Sequence, residues 1–202
     1  MLYKRNQVEE AIERFVRTGR SEVITRLKRL LDTDRAAGKP YAFFSTKPSG
    51  KGFEVEFTEY TVFALWAGLT LLAHGFPQQS SVAILKRARS ELEAEHERIS
   101  HLPDDIFPDA QELYKRARPG SLVVSNSQPV FLVVERPATD TSASAEASGR
   151  GFAICRGEAA LMMEIKSRLT AKTILEIVSA AKGLHSLLAT TKPEPRGRRP
   201  GN

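Results

Sequence analysis

The sequence predicts an α+β fold in which an N-terminal helix–helix–β-hairpin–helix–helix segment is followed by a small mixed α/β unit. Three features of the sequence predict it. Apolar residues recur at helical spacing over 6–37 and 59–102, residues 41–57 change to the alternating period of strands around a turn, and short apolar runs return after residue 120. With 41% hydrophobic and 27% charged residues, the 202-residue chain can bury a core.

The first two helices are expected on either side of a break at Gly19. Residues 6–18 carry one apolar face at helical spacing, formed by Val8, Ile12, Phe15 and Val16. Ser21 is expected to cap the second helix, because its side chain can accept a hydrogen bond from the first turn. That helix is expected to run to about residue 37, and Gly38 ends it.

The segment after the second helix predicts a β-hairpin. A strand over 41–46 is followed by the turn Lys47-Pro-Ser-Gly-Lys-Gly52, and residues 53–57 alternate strictly between apolar and acidic side chains. The tip of the hairpin is basic, because it carries Lys47 and Lys51.

Two further helices are expected, over 59–74 and from Pro77 to about residue 102. Thr58 caps the first of these and Gly75 ends it. The second is apolar early and heavily charged after residue 90, so its first half is expected to pack in a core.

The second half of the chain predicts short elements of both kinds. A helix is expected over 109–117, and strands are expected over 122–124, 130–134 and 152–155, with a flexible loop over 137–151. Residues 160–165 suit a helix by propensity, but a strand is favoured because Thr170 can cap a helix over 171–189. The expected domains are 3–102 and 109–190, followed by a disordered basic tail over 191–202.

The second helix is strongly amphipathic. Its apolar stripe consists of Val23, Ile24, Leu27, Leu30 and Leu31, and the opposite side carries Thr25, Arg26 and Arg29 with Lys28 beside them. A short helix, a glycine-containing turn and a second helix with a basic outer face are typical of a helix-turn-helix. The alternative is an ordinary bundle helix with a solvated basic face.

The hairpin strengthens the helix-turn-helix interpretation, because an exposed basic tip after two such helices is typical of a wing that contacts phosphates or the minor groove. The alternative is a structural hairpin. The expected DNA contacts are therefore Arg20, Ser21, Thr25, Arg26, Lys28 and Arg29 on the helix, and Lys47 and Lys51 at the tip.

Three segments carry a resemblance to a known family. They are Thr18-Gly-Arg-Ser-Glu-Val-Ile-Thr-Arg-Leu, Thr58-Glu-Tyr-Thr-Val-Phe-Ala-Leu and Leu71-Leu-Ala-His-Gly-Phe-Pro. Their order over about residues 3–100 resembles the MerR-like winged helix-turn-helix regulators. The resemblance implies a recognition helix in the first segment, a third helix after the wing in the second, and a bacterial-type transcriptional regulator. The usual aromatic pair of the recognition helix is replaced by Leu-Lys-Arg-Leu-Leu, and no long C-terminal coiled coil is evident.

The charge balance favours polyanionic partners. Lys and Arg number 30 against 24 Asp and Glu, which gives a net charge of +6. Duplex DNA is the expected partner and a homodimer the expected state, since helix-turn-helix proteins usually read two half-sites. Two alternatives stay open: a protein-interaction adaptor that binds a partner through residues 91–136, and an RNA-binding or antitermination-type protein.

No enzymatic or metal site is expected. His96 and His101 are five residues apart and cannot share a metal on one helical face, and no glycine-rich phosphate loop occurs. A catalytic role for Cys155 is not expected, and no cofactor is predicted.

This single cysteine and the absence of a signal sequence favour a cytoplasmic, nucleoid-associated protein, and the longest apolar stretch, 60–73, is too short to span a membrane.

Overall fold

The computed structural model describes residues 1–44, 56–102, 129–136, 151–167 and 170–192. These residues form six helices and one three-stranded antiparallel sheet, so the α+β class is confirmed. The helices are α1 (Arg5–Val16), α2 (Arg20–Ala37), α3 (Glu59–Ala73), α4 (Gln78–Ser100), α5 (Gly157–Ser167) and α6 (Val178–Thr190), and the strands are β1 (Val130–Glu135), β2 (Phe152–Arg156) and β3 (Lys172–Glu176). No helix in the described ranges is both long enough and apolar enough to cross a bilayer.

The chain divides into two compact units. The N-terminal unit comprises Met1–Lys86 and the chain from Gly183 onward, and the C-terminal unit comprises Arg87–Lys182. The boundaries between these units lie within α4 and α6. The domains expected over 3–102 and 109–190 stay a prediction. The end of α6 belongs with the N-terminal helices, where the Gln7 side-chain amide donates to the carbonyl oxygen of Thr191 at 2.9 Å.

Helices α1 and α2 are joined by three residues, the length typical of a helix-turn-helix connection. Arg17 adopts the left-handed conformation, with φ of 54°, and its N–H donates to the carbonyl of Glu13 at 2.9 Å, which ends α1. Gly19 occupies the N-cap of α2, and its carbonyl accepts from Val23 at 3.2 Å. The prediction that Ser21 is the cap is wrong, because this bond begins the helix earlier and places Ser21 in its first turn.

Helix α3 is the centre of the N-terminal unit. Thr58 caps it as predicted, because the hydroxyl oxygen accepts from the N–H of Thr61 at 3.2 Å. The helix is buried on all sides, including Trp66 at 8% exposure, so its aromatic residues pack in the core. The predicted stripe of α2 is buried at Val23, Leu27, Leu30 and Leu31.

The strand expected over 41–46 does not form over its described part. Residues 41–44 make a bend, and the backbone N–H groups of Ala42 and Phe43 donate to the carboxylate of Asp34, both at 2.9 Å. These N–H groups are therefore taken by a side chain and not by a partner strand. Phe57 pairs with Tyr3 in an isolated antiparallel bridge. The remainder of the hairpin, residues 45–55, lies outside the described residues.

The sheet of the C-terminal unit has the order β2-β1-β3, and Leu132 of the central strand lies opposite Ile154 and Leu175. The strands predicted over 130–134 and 152–155 are confirmed. The consecutive apolar residues of β1 suit a central strand, and Val130, Leu132 and Val134 are fully buried. The predicted helix over 109–117, the strand over 122–124, residues 137–150 of the loop and residues 193–202 of the tail lie outside the described residues.

Two predictions in the C-terminal unit are wrong. Residues 160–165 lie in the helix α5, because Gly157, with φ of 81°, lets the chain turn directly from β2 into a segment of strong helix formers. The helix expected from residue 171 begins only at Val178, because residues 172–176 pair with β1 as β3. The cap of this helix is Glu176, whose carboxylate accepts the N–H groups of Val178 and Ser179, both at 2.9 Å.

Gly183 of α6 lies against Phe15 of α1. A Cβ atom at this position would lie 2.5 Å from Cε2 of Phe15, whose ring packs edge-on against Trp66. We therefore expect Gly183→Ala to lower the free energy of unfolding by about 1–3 kcal/mol through overpacking, although glycine-to-alanine changes inside a helix usually stabilise it. Urea unfolding followed by Trp66 fluorescence measures the change. The control is Ser186→Ala on the exposed side of the same helix, and equal stability of the two variants would contradict the prediction.

Candidate nucleic-acid interface

The spacing of apolar residues in α2 gives the helix one buried and one solvent-facing side. Val23, Leu27 and Leu30 are at most 2% exposed and fix the helix to the N-terminal unit. The opposite side faces solvent. Of the predicted DNA-contacting residues, Arg20, Ser21, Thr25, Lys28 and Arg29 are exposed and Arg26 is partly buried. The structure thus brings these six residues onto the accessible part of one helix.

Two of the predicted cations are engaged by acidic side chains. Arg26 Nη2 lies 2.5 Å from Glu22 Oε1, one helical turn earlier, and Arg20 Nε lies 3.9 Å from Glu13 Oε2. All four side chains are at least 30% exposed. Exposed ion pairs of this kind contribute about 0–1 kcal/mol, so a phosphate could replace the carboxylate at small cost.

Lys28 and Arg29 occupy the middle of the solvent-facing side. Within the described parts of the chain, neither side chain has an acidic partner or a hydrogen bond. The pair Glu22–Arg26 lies on their N-terminal side, and Asp32 pairs with Arg35 at 3.4 Å on their C-terminal side. These two cations therefore carry uncompensated positive charge on a helix whose other charges are largely balanced.

The backbone of this part of α2 is also anchored to α4. The side-chain amide of Gln78 donates to the carbonyl oxygen of Arg29 at 2.9 Å and to the hydroxyl of Thr33. Gln78 lies in the first turn of α4. This contact and the buried stripe hold the two cations on a well-supported helix, which a binding surface requires.

The start of α2 offers donors to an anion. Gly19 provides no side-chain cap, and the N–H groups of Arg20 and Ser21 have no hydrogen-bond partner among the described residues. Uncapped N–H groups at a helix N-terminus suit phosphate oxygens. The hydroxyl of Thr25 donates to the carbonyl oxygen of Ser21 at 2.8 Å, so its oxygen is left as an acceptor.

A small apolar pocket of about 170 Å³ lies beneath the α1–α2 connection. It is lined by Val16, Thr18, Val23, Arg26, Leu69, Thr70 and Ala73. Ligand sites usually measure about 300–1,000 Å³, so this pocket is too small for a typical effector. No local sequence signal marks it, because its lining comes from three helices and the turn.

Other sequence candidates fall outside this face. Lys47 and Lys51 lie outside the described residues. Cys155 is buried, and this burial raises the pKa of its thiol. His185, which has no acidic neighbour in the sequence, lies with Nδ1 3.0 Å from Oε2 of Glu59, a residue 126 positions away. Across the described ranges, no group of three metal-ligating side chains forms.

The sequence matches no protein-family model and no curated protein. The resemblance to MerR-like regulators therefore stays a prediction, and the geometry of α2 carries the functional proposal.

Proposed function

We propose that this chain is a DNA-binding transcriptional regulator that docks the solvent-facing side of α2 on duplex DNA. The observation that carries the proposal is the exposure of Lys28 and Arg29, with no acidic partner among the described residues, on a helix anchored by its buried stripe and by Gln78. In this proposal α1, the three-residue connection and α2 form the helix-turn-helix.

Each element of the face has a physical role in this proposal. Lys28 and Arg29 neutralise phosphates and release counterions, and the forked guanidinium of Arg29 can also donate to O6 and N7 of guanine. The free N–H groups at Arg20 and Ser21 bind a further phosphate at the helix N-terminus. Arg26 leaves its ion pair with Glu22 and contacts a DNA phosphate instead. Lys47 and Lys51 add further phosphate contacts.

The test is the binding of the full chain to labelled duplex DNA at salt concentrations between about 50 and 200 mM, measured by fluorescence anisotropy. We expect affinity to fall steeply with salt. Lys28→Ala together with Arg29→Ala should weaken binding by about 10- to 100-fold. The slope of log affinity against log salt concentration should become shallower by about two units, because each lost phosphate contact removes about one.

The matched control removes the same charge elsewhere. Arg5 and Arg14 on α1 are about half exposed and pair with Glu9 and Glu10, so Arg5→Ala with Arg14→Ala should leave the affinity nearly unchanged. Equal losses of affinity in both double variants would mean that only the net charge matters, and this result would contradict the proposal that α2 is the binding surface. Stronger competition by single-stranded RNA than by duplex DNA would favour the RNA-binding alternative.

A further inference from the structure

Strand β3 lies at one edge of the sheet. The N–H of Ile177 donates to the carbonyl oxygen of Val130 at 2.9 Å, and the N–H of Arg136 donates to that of Ala171 at 2.8 Å. In an antiparallel pair these contacts alternate, so the N–H and C=O groups of Thr173 and Leu175 point toward β1. The corresponding groups of Lys172, Ile174 and Glu176 point away from the sheet. In the described chain no second strand pairs with them.

An open strand edge is a template for another strand, and natural proteins usually protect it with charge, proline, a bulge or a covering element. Among the described residues, none of these protects the middle of β3. Helix α5 packs against β2 and β1, and Ile174 at the centre of β3 is 40% exposed. Lys172 is turned toward α5, where Nζ lies 3.4 Å from Glu164 Oε1.

The same unit carries most of the large apolar side chains that are exposed in the described chain. Six large apolar side chains are exposed in the described chain, and four of them are Met162, Met163, Ile165 and Ile174 on α5 and β3. No residue of α5 is buried. A single exposed apolar residue is ordinary, but this concentration in a unit with an open strand edge indicates an association surface.

The sequence of β3, Lys-Thr-Ile-Leu-Glu, is complementary to itself. When two copies pair antiparallel about Ile174, Lys172 lies opposite Glu176 of the partner subunit and Ile174 lies opposite its own copy. No like charges face each other, and the outward-pointing backbone groups fall on the hydrogen-bonded pairs of this register. The same operation on β2 pairs Arg156 with Phe152 and forms no ion pair.

We propose that two copies of this chain associate through the outer edge of β3, antiparallel about a twofold axis at Ile174, to form one continuous six-stranded sheet. The interface is isologous, because the same surface of each copy contributes. Hydrogen bonds from the outward-pointing backbone groups of residues 172, 174 and 176 give the affinity and, with Ile174 on the axis, fix the register. The side chains of Lys172 and Glu176 keep their partners within the chain, Glu164 and the first turn of α6. The proposal is independent of nucleic-acid binding and is tested without DNA.

The first test is the mass of the full chain in solution, measured by sedimentation equilibrium. A dimer of twice the 22.4 kDa chain is expected. Ile174→Lys places two ammonium groups opposite each other on the axis, and because facing like charges oppose association, the dimer dissociation constant should rise by about 100-fold or more. Leu2→Lys, the same change at an exposed apolar residue of the other unit, should leave the dimer intact.

The second test fixes the register. In a Cys155→Ala background, Ile174→Cys should form an intermolecular disulfide under mild oxidation, because facing residues in a hydrogen-bonded antiparallel pair have Cα atoms about 5.5 Å apart, within the range of disulfides. Leu2→Cys in the same background should not. Circular dichroism of each variant establishes that it is folded.

The outcomes separate cleanly. A dimer that Ile174→Lys dissociates and Ile174→Cys crosslinks supports the proposal. A chain that is monomeric at every concentration overturns it. A dimer that survives Ile174→Lys, or that Ile174→Cys fails to crosslink, places the interface elsewhere and also overturns it.

Discussion

Replacing Asp34 with alanine should lower the free energy of unfolding by about 3–5 kcal/mol, a large share of the roughly 5–15 kcal/mol that stabilises a typical domain. Asp34 is fully buried, and its two oxygens accept the N–H groups of Ala42 and Phe43. Alanine leaves both donors buried without acceptors, at about 1–3 kcal/mol each. It also leaves Lys86, whose Nζ lies 3.8 Å from the carboxylate, without its acidic neighbour.

The chain provides a matched control for this prediction. Asp32 lies on the same helix, but its side chain is 53% exposed and pairs only with Arg35, so Asp32→Ala should change stability by less than about 0.5 kcal/mol. Trp66 is the only tryptophan and is buried. Its fluorescence in urea reports unfolding of both variants, and similar midpoints would contradict the assigned role of Asp34.

Asp34 also shows what local pattern could and could not predict. The periodicity of α2 correctly identified its buried stripe, because a 3.6-residue repeat of apolar side chains is sufficient for that. Asp34 follows Leu30 by four residues and therefore lies on this stripe. An acidic residue at a core position is a sequence signal for a buried carboxylate. Its role as a hydrogen-bond acceptor depends on residues 42 and 43, and the local pattern predicts a strand for these two residues.

The solvent-facing side of α2 was predictable only in part. Its residues follow directly from the position of the apolar stripe. The ion pairs do not, because Asp32 is spaced to reach Lys28, Arg29 or Arg35, and the structure pairs it with Arg35. The uncompensated charge of Lys28 and Arg29 is thus a result of three-dimensional structure. The contact between His185 and Glu59 is likewise invisible to local pattern.

The errors in the C-terminal unit share one physical cause. Residues 172–176 mix strand and helix formers, and their state is decided by pairing with β1, a contact distant in sequence. The run Val130–Glu135 needed no such context, because its consecutive apolar side chains predict a strand buried on both faces. Once residues 172–176 are a strand, residues 157–167 form the helix that packs on the sheet.

In the C-terminal unit, removing both arginines that hold Glu95 should cost more stability than removing Glu95 itself. Glu95 is 2% exposed; Oε1 accepts from Arg98 Nε at 2.8 Å and Oε2 accepts from Arg156 Nε at 3.0 Å. Arg98→Ala with Arg156→Ala leaves a buried carboxylate unpaired, at about 3–5 kcal/mol. Glu95→Ala leaves two arginines that are already 40% and 62% exposed and can be hydrated, so about 1–3 kcal/mol is expected.

The contribution of Glu95 to the pH dependence of stability should have opposite signs in the parent protein and in the Arg98→Ala, Arg156→Ala variant. Burial tends to raise the pKa of Glu95, but hydrogen bonds and charge from Arg98 and Arg156 outweigh it and lower the pKa below its usual 4.5. In the parent protein the unfolded chain therefore takes up this proton first, so the stability that Glu95 contributes is complete above the unfolded pKa and is lost as pH falls through the folded pKa. Without the arginines, burial alone raises the folded pKa above the unfolded value. The double variant should then gain stability as pH falls from neutral toward the unfolded pKa.

Urea unfolding between neutral pH and about pH 4 measures the dependence of stability on pH in both proteins. Circular dichroism is the signal used, because Trp66 lies in the other unit and its fluorescence does not report directly on the unit that contains Glu95. Arg26→Ala with Arg35→Ala removes two arginines from exposed pairs and should cost about 0–1 kcal/mol per pair while keeping the parent slope. If the stability of the Arg98→Ala, Arg156→Ala variant depends on pH as that of the parent protein does, Glu95 becomes hydrated once its partners are lost. A reversed slope would establish that the two guanidinium groups keep this carboxylate ionised inside the fold.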